Sequence, residues 1–250
     1  MLGFINFNSL TKSNKLEVVF SSKEKIAKTA IKEVKKDFIT APFEKSFPTK
    51  SEIETSAKNN LSLRKLFARY DLPMQVNIEE LEKLREGHLE KTRDLVSKIY
   101  SVLSENLKRE VNIFNLQIAA LYHDFGKVMI PNAILNKRGK LTPDEREIMQ
   151  LHSEIGYELL KTQGLNEQVL DLIKYHHQNL HQTGYPYVEK DFQFGIEYQI
   201  LSIADKYTAL REERCYKNPF GKYEALEIIA KDVNRGLISQ EIYTALIRVV

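Results

Sequence analysis

Apolar residues recur at helical spacing through most of the chain that follows residue 77. The first pattern runs through Ile78, Leu81 and Leu84 and resumes at Leu95. Later patterns cover about 113–124, 142–159, 166–178, 197–212, 223–233 and 239–249. Apolar side chains three and four residues apart share one face of an α-helix, and strand signals are scarce after residue 80. We therefore predict that this part of the chain is all-α.

The first 77 residues carry weaker and more mixed patterns. The β-branched and aromatic stretch 16–20 suggests a short strand. Residues 23–39 have clear helical spacing, and residues 51–69 have it weakly. We predict a mainly α protein: a small N-terminal domain of α or α+β fold over residues 1–77, and a helical domain over residues 78–250.

One helix start is marked with unusual clarity. Thr142 can cap a helix, Pro143 suits the first helical position, and Glu145 stands where the acid of a capping box belongs. The apolar spacing then predicts one helix that continues as far as Leu159.

Composition narrows the class of protein. Of 250 residues, 42% are hydrophobic, enough for a core, and no apolar run approaches the ~18 residues of a membrane span. The start resembles no signal peptide, so a cytoplasmic location is expected. A single cysteine, Cys215, excludes an internal disulfide. The net charge of +3 is too small for a bulk nucleic-acid binder. The lysine-rich first fifty residues form either a solvated face or a nucleic-acid or membrane patch.

The histidines are clustered along the chain. All six lie between His88 and His181, with none in the first 87 residues or the last 69. Such clustering is what a metal site or an acid–base site within one domain would produce.

The strongest local motif is a His-Asp pair at the end of an apolar helix. Imidazole and carboxylate together suit divalent transition metals, and the two oxygens of Asp124 can bridge two ions. Gly126 would let the backbone turn sharply after His123-Asp124. Lys127 could then fold back and offer its positive charge to a phosphate.

Other polar residues extend the motif. His152 lies on the apolar side of its predicted helix, as either a ligand or a satisfied core residue. His176 and His177 end another helix, with side chains about 100° apart. Asp205 lies inside an apolar helix and needs a partner, either a metal or a lysine. With His88 and His123-Asp124, these residues supply enough nitrogen and oxygen ligands for a dinuclear site.

This order of residues resembles the HD-GYP group of the HD phosphohydrolase superfamily over about residues 80–250. The stretch from His123 to Tyr157 is especially similar, and Gly184-Tyr185-Pro186 supplies the GYP motif. The resemblance implies a helical bundle that holds two divalent metal ions, usually iron and sometimes manganese. It also implies cyclic di-GMP as the usual substrate.

The resemblance further implies roles for individual residues. One metal would be held by His88, His123, Asp124 and Asp205. The other would be held by His152, His176 and His177, with Asp124 bridging the two ions. Lys127 would contact the substrate phosphate and act in catalysis together with Asp124.

Further substrate contacts follow by position from the same resemblance. Arg214 and Lys217 match the family's additional basic contacts, although both could equally be ordinary surface charges. Tyr185 could line the mouth of the pocket, although a plain turn aromatic would look the same. His181 is either a solvent-facing loop residue or an extra polar contact.

The chain departs from the family pattern in several places. A gap-free alignment would put Lys91 in place of the first ligand, but we prefer His88 because the following apolar positions then match. Leu84 stands where some members have a glutamate for a third metal, which favours two metals. Residues 178–182 replace the usual residues before the GYP motif, and Thr208 replaces a usual aspartate.

The resulting expectation is a phosphodiesterase. A hydroxide held by two metal ions would hydrolyse cyclic di-GMP to pGpG, GMP or both. The alternatives are a catalytically weak sensor that binds cyclic dinucleotides, a phosphohydrolase of another cyclic dinucleotide or nucleotide, and a purely structural helical protein. A homodimer or a signalling-protein partner is a further possibility.

Overall fold

The computed structural model describes residues 48–85, 89–189, 191–212 and 218–250. Within these ranges the fold is helical and contains no strand, as predicted for the domain. The α-helices are α1 Lys50–Asn59, α2 Leu61–Arg69, α3 Ile78–Arg85, α4 Glu90–Ser101, α5 Glu105–Arg109, α6 Ile113–Tyr122, α7 Asn132–Leu135, α8 Pro143–Gln150, α9 His152–Leu160, α10 Glu167–Tyr175, α11 Ile196–Arg211, α12 Lys222–Asn234 and α13 Gln240–Val249. Two short 3₁₀ segments are Phe125–Met129 and Lys161–Gln163.

Several predictions fall outside the described residues. These are the strand at 16–20, the helix at 23–39, the ligand His88 and the basic residues Arg214 and Lys217. Over the ranges that the structure does describe, every helix is too short or too polar to cross a membrane.

Helices α1 and α2 pack against the rest of the described fold. Residues 48–250 form one compact unit. At the junction of α1 and α2, the Asn60 side chain donates a 2.9 Å hydrogen bond to Glu158 of α9. Residues 50–69 therefore contact the helical domain that follows them in the sequence. The domain boundary at residue 78 stays a prediction.

The predicted start of α8 is confirmed, but its predicted length is wrong. Thr142 Oγ1 accepts from the Glu145 amide at 3.2 Å, and the Glu145 carboxylate accepts from the Thr142 amide at 2.8 Å. The helix ends at Gln150. There the Leu151 amide donates to the carbonyl of Ile148, three residues earlier, and makes a tighter turn than the α-helix has. A separate helix, α9, begins at His152.

The 3₁₀ segment after the His-Asp pair packs closely on α9. A Cβ added to Gly126 would lie 1.9 Å from the His152 carbonyl oxygen and 2.5 Å from the Gly156 amide nitrogen. The sequence suggested that Gly126 permits a sharp turn, but its backbone is not in the left-handed region. Gly126 instead lets two backbones touch, which sets His152 beside His123-Asp124.

A partly buried polar network joins three helices at the opposite end of the bundle. The two carboxylate oxygens of Glu197 accept from the Asn112 amide at 2.6 Å and from Gln168 Nε2 at 2.7 Å. Asn115 Nδ2 donates to Gln168 Oε1 at 2.6 Å. The network therefore ties together the N-terminal ends of α6, α10 and α11. His123 follows α6, His176 and His177 follow α10, and Asp205 lies within α11.

Adding a methyl group at Gly126 should destabilise the protein. We expect Gly126→Ala to lower the free energy of unfolding by about 1–3 kcal/mol, because the two backbones must separate. Gly195→Ala is the control, since a Cβ there meets nothing within 4 Å. It should cost less than about 1 kcal/mol, mainly as a poorer helix cap. Urea unfolding followed by circular dichroism measures both, and equal losses would contradict the packing role of Gly126.

Candidate metal centre

Four elements of the bundle bring six potential ligands together. His123 and Asp124 follow α6, His152 begins α9, His176 and His177 follow α10, and Asp205 lies within α11. Their ligand atoms form two groups, each with all members within 4.8 Å of one another. One group is Asp124, His152, His176 and His177, and the other is His123, His176 and Asp205.

Three of the histidines have the same local hydrogen bond. In each, Nδ1 bonds to the backbone carbonyl three residues earlier: His123 to Ala120 at 2.9 Å, His152 to Met149 at 2.8 Å and His176 to Ile173 at 2.7 Å. A carbonyl oxygen can only accept, so Nδ1 must donate its proton. The neutral ring then carries a lone pair on Nε2, the form in which imidazole binds a metal.

These lone pairs face one another at the centre of the site. His152 Nε2 lies 3.4 Å from His176 Nε2, and His177 Nε2 lies 3.2 Å from His152 Nε2. As neutral rings, His152 and His176 have committed their only proton to Nδ1, so a cation between their Nε2 atoms would relieve the repulsion of the two lone pairs. Burial lowers the pKa of His152 to about 4 and that of His176 well below its ordinary value, which disfavours a proton there. A metal ion fits this donor set.

Asp124 faces both groups through different oxygens. Its Oδ1 lies 3.4 Å from His152 Nε2, and its Oδ2 lies 3.4 Å from His123 Nε2 and 2.6 Å from Lys127 Nζ. Burial alone would raise the pKa of Asp124, but the charge of Lys127 and the neighbouring imidazoles hold it well below its usual range. Asp124 is therefore an ionised carboxylate whose two oxygens face different histidines.

The carboxylate of Asp205 lies beside the imidazole of His123. Its Oδ1 lies 3.4 Å from His123 Nε2, whereas the neighbouring Lys206 pairs with Asp232. Burial would lower the pKa of His123, but the charges of Asp124 and Asp205 raise it to about 9. In the metal-free protein at neutral pH, His123 therefore holds a proton between two carboxylates.

Tyr185 of the GYP motif lies beside the histidines. Its ring centroid is 4.5 Å from that of His177, with 32° between the planes, and 6.2 Å from that of His152. Tyr185 therefore contacts two of the site histidines, and its role in lining a pocket stays a prediction. His181, four residues after His177, is exposed in the loop.

The two ligand groups resemble the predicted sets with two differences, since the group of His123 and Asp205 includes His176 and does not include Asp124. His176 is close to both groups, whereas the predicted assignment placed it with one metal. A single Nε2 can bind one ion, while the two oxygens of Asp124 can serve two, so Asp124 remains the better bridge. The remaining predicted ligand, His88, lies outside the described residues.

The sequence interpretation of α3 missed a buried acid. Ile78 was placed on the apolar face, but it is 49% exposed, whereas Glu80 is 8% exposed. The pKa of Lys127 is raised by the charges of Asp124 and Asp205 and, to a smaller extent, by the charge of Glu80. Glu80 therefore lies near the site. Leu84 is buried, as its apolar character suggested.

Comparison with known proteins identifies the family. The profile of the HD domain matches residues 75–241, two thirds of the chain. The chain belongs to the HD-domain family. This membership and the relatives described next confirm the resemblance to the HD-GYP group.

Three relatives of this HD domain have named activities. A cyclic di-GMP phosphodiesterase of Thermotoga maritima is 36% identical over 143 residues, which cover 56% of this chain and 38% of that protein. The cyclic di-GMP phosphodiesterase response regulator RpfG of Xanthomonas campestris is 36% identical over 147 residues, 57% of this chain and 38% of the relative. The 3′3′-cGAMP-specific phosphodiesterase 1 of Vibrio cholerae is 26% identical over 161 residues, which cover 64% of this chain and 37% of that protein. The chain thus spans under two fifths of each relative's length.

Removing an imidazole of the site should reduce metal binding, whereas removing a nearby imidazole outside the site should not. We expect His177→Ala to lose about one bound ion per chain after reconstitution with Mn²⁺, because its Nε2 faces the centre. His181→Ala is the matched control, since that histidine is an exposed loop residue of the same segment. Elemental analysis of both purified variants gives the answer, and equal metal content would remove His177 from the site.

Metal binding should also depend on pH through His123. Its pKa of about 9 means that a metal must displace a proton at pH 7, so Mn²⁺ affinity should rise as the pH increases from 7 towards 9. Titration calorimetry in buffers of different ionisation enthalpy should detect about one proton released per chain at pH 7. His123→Gln should lose this release, and a pH-independent affinity in the natural chain would contradict the assignment.

Proposed function

We propose that this HD domain is a metal-dependent phosphodiesterase that hydrolyses cyclic di-GMP to pGpG, GMP or both. The observation that carries the proposal is the pair of buried Nε2 lone pairs of His152 and His176, which face each other beside the ionised Asp124. The named activities of the relatives support cyclic dinucleotides as the substrate class.

The donor set suits two divalent ions, iron or manganese. Imidazole nitrogens and carboxylate oxygens are ligands that both metals accept. We propose that His88, His123, Asp124 and Asp205 hold one ion, and that His152, His176, His177 and Asp124 hold the other. When bound, the ions would supply a water of lowered pKa and stabilise charge on the phosphoryl oxygens.

Lys127 is proposed to neutralise a substrate phosphate. Its ammonium now lies 2.6 Å from Asp124 Oδ2, the oxygen that also faces His123. A metal bound to this oxygen would compete with the ammonium and leave it available to an incoming anion. Burial alone would lower the pKa of Lys127, but the charges of Asp124 and Asp205 have the larger effect. The pKa of Lys127 is therefore raised, and the amine stays protonated. Arg214, Lys217 and Tyr185 are the further proposed substrate contacts.

Turnover by protein purified without oxygen tests this proposal. We expect about two ions per chain and conversion of cyclic di-GMP to pGpG or GMP. Asp124→Ala should lose both metal and activity. Faster turnover of 3′3′-cGAMP would reassign the substrate, whereas tight binding without product would indicate a sensor. Activity that survives in Asp124→Ala together with its metal would contradict the scheme.

Replacing Lys127 should separate catalysis from metal binding. We expect Lys127→Ala to retain its metal and to lower kcat about 100-fold, because one charge on the phosphate is lost. Lys58→Ala is the control, since Lys58 is an exposed residue of α1. Steady-state kinetics and elemental analysis on the same samples decide the matter, and an unchanged kcat would exclude Lys127 from the reaction.

A further inference from the structure

The loop that carries the GYP motif is held by one buried side chain. Gln178, directly after the two histidines, is 2% exposed. Its Oε1 accepts from the Gly184 amide at 3.1 Å, and its Nε2 donates to the Pro186 carbonyl oxygen. One amide group therefore bonds to the backbone on both sides of Tyr185.

The loop also packs directly on the histidine backbone. A Cβ added to Gly184 would lie 2.1 Å from the His177 carbonyl oxygen and 2.8 Å from Gln178 Cα. Only glycine permits this contact without a backbone shift. Because Gly184 and Pro186 are both fixed, the Tyr185 ring between them is held against the His177 ring at 4.5 Å.

The chemistry of the two bonds suits an amide. The Gly184 N–H needs an acceptor, and the Pro186 carbonyl needs a donor. A glutamine side chain supplies one of each, whereas a carboxylate would place an oxygen against the carbonyl and a thioether would supply no donor. A buried backbone group left without its partner is costly, so the loop should open when this amide is replaced.

We propose that Gln178 is a positioning residue that latches the segment Gly184–Pro186 over the metal centre. The latch holds Tyr185 as one wall of the pocket, where a bound nucleotide would contact it. The effect on turnover rests on the proposed function, whereas the latch itself can be tested without metal or substrate. Its loss should impair substrate binding and leave the metal ligands in place.

A single-tryptophan reporter can measure the latch directly. The natural chain has no tryptophan, so Tyr185→Trp introduces one at the loop. In the metal-free 250-residue chain, we expect Gln178→Met, combined with this reporter, to raise acrylamide quenching about twofold or more, because the loop opens locally. Gln182→Asn is the matched control: Gln182 lies in the same loop, but its side chain bonds to the Phe192 carbonyl at 2.7 Å. The control should leave the quenching unchanged.

Kinetics on the chain with its natural Tyr185 test the positioning role. We expect Gln178→Met to raise KM about tenfold for cyclic di-GMP at unchanged metal content, because the pocket wall is no longer held. Equal quenching in Gln178→Met and in the control would overturn the latch. Raised quenching with unchanged KM and kcat would overturn its role in substrate positioning. If the natural chain hydrolyses no cyclic dinucleotide, the proposed function fails while the quenching still decides the latch.

Discussion

Three imidazole rings in the bundle each donate Nδ1–H to the backbone carbonyl three residues earlier, and this shared bond determines what the centre can hold. With Nδ1 committed, the Nε2 lone pairs of His152 and His176 lie 3.4 Å apart in a buried space. Two lone pairs at this distance repel unless a cation lies between them. The low pKa values that burial gives His152 and His176 disfavour a proton, so the same geometry favours a metal.

The rest of the described fold keeps these rings in place. The Gly126–Gly156 approach brings α9 against the segment that follows Asp124, so residues distant in sequence share one centre. At the other end of the bundle, Glu197 ties the first turns of three helices that contribute ligands or precede them. Asp124 then faces each ligand group with a different oxygen. The ligands therefore depend on packing contacts as much as on their own chemistry.

Much of this was predictable from the sequence because local rules decide it. Apolar spacing predicted most helices, and the Thr142 capping box predicted a helix start that is confirmed. The identity of the histidines and aspartates indicated metal chemistry. The break at Leu151 and the packing role of Gly126 were not predictable, because both depend on which backbone lies alongside. Gln178 was noted as a departure from the family, yet its burial and two backbone partners arise only when the loop folds over His177.

The most direct test of the metal centre is a crystal structure with anomalous scattering recorded at the iron or manganese edge. The account predicts two peaks per chain, about 4 Å apart, flanking the Asp124 carboxylate. One peak should lie against His152, His176 and His177, and the other against His123 and Asp205. Crystals of reconstituted protein without a peak at these side chains would contradict the account, because the facing Nε2 atoms would then have no metal to explain them.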